Sequence, residues 1–226
     1  TVCVPSKALI RAAKTAHQIQ HAKALGVEAE NTRIDFAAVM ARVNEVIKQI
    51  EPHDSVERYT GLGVECLQGE ATIVSPFAVK IVGADKREQV LTTKSIIIAA
   101  GARPYVPEIP GLAGVPFYTS DTLWSITELP SRLLILGGGP IGCELAQAFA
   151  RLGSAVTLLQ RNAQLLPKED SDVAAFVQSV FAKEGIRVCL RSSVNAFAVK
   201  RDSYTASCVI NGVSEEIAFD AVLIAL

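Results

Sequence analysis

Leu133-Leu134-Ile135-Leu136-Gly137-Gly138-Gly139-Pro140-Ile141-Gly142 is the stretch that decides the fold. Four apolar residues read as a strand buried on both faces, and Gly-x-Gly-x-x-Gly follows without a break. Ile141, Leu145, Ala148, Phe149 and Leu152 then recur at helical spacing over 140–152, and 155–159 is a second apolar strand. Each glycine in such a strand–turn–helix has its own task. Gly137 allows the tight turn, Gly139 lets the backbone approach a pyrophosphate, and Gly142 permits close packing of helix on strand. Pro140 and Ile141 open the helix, whose unpaired N–H groups and about half a positive charge favour a phosphate. The spacing predicts a dinucleotide site at 137–142.

The end of the second strand reads the adenosine ribose. An acid there binds the 2′-hydroxyl of NAD, whereas a 2′-phosphate favours a cation and no carboxylate. Gln160 and Arg161 occupy the position, which points to NADP, with NAD as the alternative. Downstream, a helix is expected over 170–184, with Val173, Phe176, Val177, Val180 and Phe181 on one face, then a strand over 187–190. Asn211-Gly212 joins strands 204–210 and 213–219 as a hairpin, and 221–226 is a last apolar strand. Strands alternating with helices imply a doubly wound α/β domain.

Upstream, prolines 104, 107, 110 and 116 with Gly111 and Gly114 mark a boundary, giving domains 1–109 and 110–226. The first half opens with a helix over 6–24, with Ala8, Ala12, Ala16 and Ile19 on one stripe. Asp35 caps a second helix that runs until Pro52. Short extended runs at 64–68, 71–74, 77–82 and 88–92 suggest an antiparallel meander, and 94–100 a buried parallel strand.

The 226 residues carry a formal charge of -1 and are half apolar, which gives no basic face for nucleic acid. No apolar run approaches the ~20 residues of a membrane helix. The five cysteines show no CxxC and no zinc-ligand spacing, so a reducing cytoplasm is the expected setting. His17 and His21 stand i, i+4 without a third ligand at a recognisable spacing and read as helix-surface residues; no metal site is expected. Cys3, at a helix start, is either an ordinary buried thiol or half of a redox couple.

Three motifs bear on that choice. Cys3-Val4-Pro5-Ser6-Lys7, Ile96-Ile97-Ile98-Ala99-Ala100-Gly101-Ala102-Arg103-Pro104 and Gly137 to Glu144 occur in this order. Together they resemble the flavin-dependent pyridine nucleotide–disulfide oxidoreductases, which include dihydrolipoamide dehydrogenase, glutathione reductase and mercuric reductase. Leu158-Leu159-Gln160-Arg161-Asn162 and Lys183-Glu184-Gly185-Ile186 are most similar to the mercuric reductases. In that family Cys-x4-Cys precedes Val/Ile-Pro-Ser-Lys, and Cys3 matches the second cysteine, whose thiolate lies against the flavin. The first would precede Thr1, and Val2 stands where the family has glycine.

The resemblance implies an incomplete FAD-binding Rossmann-like domain with its meander, followed by an NAD(P)-binding Rossmann domain. It implies FAD and NADP as cofactors and electron flow through flavin to the cysteine pair. From there electrons pass to a disulfide or to a metal-ion substrate such as Hg(II), in a homodimer. A thiol at a helix N-terminus beside a cation is favoured as thiolate, and Lys7 stands one turn on. By resemblance Lys7 lies near the flavin and pairs with Glu144. Gly69 and Ala71 resemble the loop that meets the flavin adenine, while Ala100, Gly101 and Ala102 resemble the stretch beneath the dinucleotide. The family's first flavin strand and its dimerisation domain would lie beyond this sequence, which therefore reads as an internal fragment. Strand 94–100 should then lack neighbours and be loosely protected, while the nucleotide half is ordered. The alternative is a nucleotide-binding fragment or pseudoenzyme without turnover.

Overall fold

The computed structural model describes residues 3–201 and 203–226; the Val2 substitution lies outside them. Helix α1 (Cys3–Gln20) buries Pro5, Ser6, Leu9, Ala13 and Ala16. The stripe expected at Ala8, Ala12, Ala16 and Ile19 is thus turned by about one residue, with Leu9 and Ala13 rather than Ala8 and Ala12 in the core. Helix α2 (Phe36–Ile50) is capped by Asp35, whose carboxylate accepts from the Ala38 N–H at 3.0 Å. Short helix α3 (Val56–Gly61) leads to strands β1 (Glu70–Ser75), β2 (Ala78–Val82) and β3 (Glu88–Thr92). These pair antiparallel in chain order, as the spacing of the extended runs implies. The run at 64–68 forms no strand.

The strand expected at 94–100 does not form either. Residues 96–102 enter no ladder, and Ile97 and Ile98 are 91% and 75% exposed. Apolar β-branched residues favour a pleated strand only where a neighbour takes up their backbone N–H and C=O groups. Among the described residues none does.

Beyond residue 103 come β4 (Phe117–Thr119), β5 (Arg132–Leu136), α4 (Pro140–Leu152), β6 (Ala155–Leu159), α5 (Ser171–Lys183) and β7 (Arg187–Cys189). Then follow β8 (Ser192–Lys200), β9 (Ser203–Ile210), β10 (Val213–Phe219) and β11 (Ala221–Ile224). A five-stranded sheet has the order β4-β11-β5-β6-β7, with each of its pairings parallel. It is wound outward from β5 in both directions, so the strand order reverses beside the glycine turn. In open α/β sheets ligands bind at that switch point, outside the carboxyl ends of the strands.

Both faces of this sheet are covered, which explains the unbroken apolar runs. Leu133, Ile135, Val156, Leu158, Ala221 and Leu223 face the helices, including α1 through Leu9 and α2 through Met40. Leu134, Leu136, Leu159, Val222 and Ile224 face the antiparallel sheet β10-β9-β8, through Phe197, Ala206 and Phe219. Strands β4 and β8 have no counterpart in the expected element list. β4 is three residues long, and a bulge between Val194 and Ala196 breaks the alternation of β8. On α5 the core takes Ala174 and Phe181 and leaves Val173 and Phe176 exposed.

By packing, residues 3–47 group with Arg103–Leu226, and Lys48–Ala102 form a second compact unit. The packing therefore assigns α1 to the same unit as the nucleotide fold, across the 109/110 division suggested by sequence. No helix among the described residues is long and apolar enough to cross a membrane.

Candidate functional site

The glycine turn is built by close approaches that only glycine permits. Gly137 has φ +112°, and a Cβ there would stand 2.3 Å from the Ala225 carbonyl oxygen. A Cβ on Gly142 would stand 1.9 Å from the Gly137 carbonyl oxygen, so the helix is seated directly on the turn. Gly139 differs: a Cβ there would meet nothing within 4 Å. That glycine is not required by packing. Its bare backbone instead leaves an opening at the N-terminus of α4, where Pro140 begins the helix and the first N–H groups lack intrahelical partners. The geometry fits the pyrophosphate of a dinucleotide.

A cleft of about 490 Å³ lies at the carboxyl ends of β5 and β6. Its lining includes Gly137, Gln160 and Arg161, and no carboxylate is among its residues. Gln160 is buried and turned inward. Its Oε1 accepts from the Gly138 N–H at 3.4 Å, and its Nε2 donates to the Gln164 carbonyl at 3.4 Å. Arg161 is exposed and without a side-chain partner among the described residues. Sequence reasoning missed Asn162, Ser192, Ser193, Val194 and Tyr105, which also line the cleft. The two serines were hidden because β8 was; Ser192 Oγ donates to the Cys189 carbonyl at 2.7 Å, which ties the start of β8 to the end of β7.

Lys7 and Glu144, 137 positions apart, meet: Lys7 Nζ lies 2.7 Å from both carboxylate oxygens of Glu144. The pair joins the helix that begins at Cys3 to the helix that begins at the glycine turn. Both side chains stay partly open, at 61% and 41%. Exposure on this scale makes the pair worth at most about 1 kcal/mol of stability, so its position matters more than its strength. Further along α4, Arg151 binds Glu184, the residue after α5, in bidentate fashion at 2.6 and 2.9 Å, and Gln147 donates to the same carboxylate.

The cysteines divide sharply. Cys3 is exposed on the first turn of α1, while Cys143, Cys189 and Cys208 are buried. Burial pushes the Cys143 and Cys208 thiols up to about 11, and that of Cys189 upward. The three are held as unreactive thiols. No two described cysteines are bonded to each other.

The second unit holds the remaining site candidates. Gly69 has a packing reason of its own, since a Cβ would stand 2.6 Å from the Val82 carbonyl oxygen and 2.8 Å from Ile81 Cγ2. Ala71 pairs with Ile81 in the meander and is exposed. Ala100, Gly101 and Ala102 are exposed and outside any ladder, with Gly101 at φ +71°. The His17 and His21 rings lie 4.1 Å apart between centroids and are tilted by 35°, and no group of three or more metal-ligand side chains occurs among the described residues.

Comparison with known proteins gives a consistent answer. The sequence model described as pyridine nucleotide-disulphide oxidoreductase matches residues 1–226. A mercuric reductase of Streptomyces lividans is 35% identical over 215 residues, which is 93% of this chain and 44% of the relative. A dihydrolipoyl dehydrogenase of Geobacillus stearothermophilus is 34% identical over 98% of this chain and 47% of its own length. Among solved structures, the HOCl-induced flavoprotein disulfide reductase RclA of Escherichia coli superposes with a TM-score of 0.70 at 28% identity. That match covers 98% of this chain and 46% of RclA. The chain thus spans less than half the length of these relatives.

Proposed function

The chain belongs to the pyridine nucleotide-disulphide oxidoreductase family, and from that premise we propose that it is the nucleotide-binding and thiol-bearing part of an FAD-dependent reductase. In this reading NADPH is the electron donor, a Cys3-containing cysteine couple is the internal acceptor, and a disulfide or Hg(II) is the substrate. The complete enzyme works as a homodimer. The observation that carries the reading is the Lys7–Glu144 bridge, which couples the Cys3 helix to the dinucleotide helix.

The residues fit both cofactors. Gly139 leaves the space a pyrophosphate needs, and the cleft beside it carries Arg161 and no carboxylate. Cys3, Lys7 and Glu144 remain open to a planar group laid against them. Bound flavin would supply two-electron transfer between nicotinamide and thiol. Lys7 provides a cation fixed by Glu144, Cys3 offers the one exposed thiol among the described cysteines, and Arg161 meets the 2′-phosphate while Gln160 keeps a carboxylate out of its way.

Two measurements test this. On the chain itself, NADPH should bind more tightly than NADH, and Gln160→Glu should move the preference towards NADH because a carboxylate repels the 2′-phosphate. NADH binding at least as tightly would remove the NADPH assignment. On a polypeptide of the relatives' full length, Cys3→Ser should abolish NADPH oxidation dependent on Hg(II) or a disulfide. Turnover surviving that change would assign the acceptor thiol elsewhere.

A further inference from the structure

The cleft that takes the adenosine half has a wall that neither the glycine turn nor the ribose position explains. Tyr105 and Pro107 form it, from the segment that precedes β4, and Ser193 and Val194 at the start of β8 line the same cleft. The segment is braced. Pro104, Pro107 and Pro110 each fix a backbone dihedral, and the Ile109 N–H donates to the Pro107 carbonyl at 3.0 Å. Its far end is pinned to β8 itself. Phe197 N–H donates to the Pro110 carbonyl at 2.8 Å, and Gly111 packs so closely that a Cβ would stand 2.0 Å from the Phe197 carbonyl oxygen. The two segments are therefore held at a fixed spacing by one strand.

On this braced wall Tyr105 is 66% exposed. Its ring has no aromatic partner, and its hydroxyl no hydrogen bond, among the described residues. Tyr105 thus offers the cleft a large aromatic face that no packing contact of the ring uses. The same cleft is lined by Val194, Leu136 and Leu159 and carries a single cation, Arg161. A largely apolar cleft that carries one cation suits a purine ring joined to a phosphorylated ribose.

We propose that Tyr105 holds the adenine of the dinucleotide by stacking, in the cleft that Val194 also lines. The proposal rests on the nucleotide reading above and adds a binding residue supplied by the segment before β4. Stacking a base on an aromatic side chain tolerates exchange among aromatics and fails with alanine.

Isothermal titration of the purified chain with adenosine 2′,5′-bisphosphate tests it. Tyr105→Ala is expected to weaken binding about tenfold, while Tyr105→Phe and Tyr105→Trp stay within about twofold of the parent. All three should melt with the parent, since the ring is mostly exposed. If the parent binds and Tyr105→Ala binds equally well, the stacking role is overturned and the nucleotide reading stands. If Tyr105→Phe loses as much as Tyr105→Ala, the contact is made by the hydroxyl and stacking is again overturned. A parent chain that binds neither the bisphosphate nor NADPH overturns both.

Discussion

Leu133 to Leu136 and Ile96 to Ile98 are nearly the same message in sequence: a short solid run of large aliphatic residues before a glycine. Their fates are opposite. The first run is the centre of a five-stranded sheet, with each of its side chains 5% exposed or less. The second is in no sheet, with Ile97 and Ile98 in solvent. Hydrophobicity alone does not make a strand. A strand exists where β6 and β11 can accept its backbone on both edges, and where a helix layer and a second sheet cover both faces.

Hydrogen exchange offers the largest way to break that contrast. Amides of 133–136 should exchange only with global unfolding, and those of 96–98 nearly freely. For a domain of ordinary stability the gap is on the order of 10⁴-fold or more. Comparable protection of the two runs would show that the 96–98 segment finds a partner, in this chain or in another copy.

Thiol chemistry sharpens the same contrast between covered and uncovered positions. Under native conditions near pH 8 an alkylating reagent should modify Cys3 first and the half-exposed Cys66 more slowly. Cys143, Cys189 and Cys208 should react only on unfolding. Native labelling of Cys143 at a rate near that of Cys3 would mean that α4 does not stay seated on the sheet.

What sequence made legible follows the same rule. The helix at 140–152 and the strands at 132–136 and 155–159 carry strong local patterns and form where expected, as do three of the four runs expected for the meander. The 94–100 strand depends on partners that spacing cannot report. The face of α1 was misjudged because alanines carry little information about which side is buried, and Leu9 outweighs them. In the site, the glycines, Gln160 and Arg161 were readable from their positions after strands. Tyr105 and Ser193 reach the cleft through the bulged strand β8 and its contact with Gly111, which leaves no periodic signal.

Two glycines of the turn separate packing from binding. Gly142→Ala drives a methyl group against the Gly137 carbonyl and should lower stability by about 3 kcal/mol, read from the urea midpoint. Gly139→Ala meets nothing within 4 Å and should stay within about 0.5 kcal/mol of the parent while losing most of its nucleotide affinity. If Gly139→Ala bound NADPH normally, the open space beside α4 would not be where the pyrophosphate lies.

The smallest expected effect tests how firmly α1 is docked on the nucleotide unit. Desolvation, with Arg151 and His21 as further causes, holds His17 below its usual 6.5, and Glu184 opposes them weakly. Those groups come from α4, from the residue after α1 and from the residue after α5, so the imidazole samples the helix layer rather than one helix. A base with a lowered folded pKa takes up its proton in the unfolded chain first. The unfolded state then binds more protons, and stability falls as pH drops from about 6.5 until the folded pKa is passed. The Arg132–Asp220 contact acts in another window, because the guanidinium beside it lowers the Asp220 carboxyl further below 3.8. Its contribution is lost only in stronger acid. Denaturant midpoints between pH 7 and pH 5 should therefore decline in the parent and flatten in His17→Gln. An unchanged slope in that variant would mean that α1 leaves His17 in solvent, and that the docking of the Cys3 helix is looser than its contacts with α4 indicate.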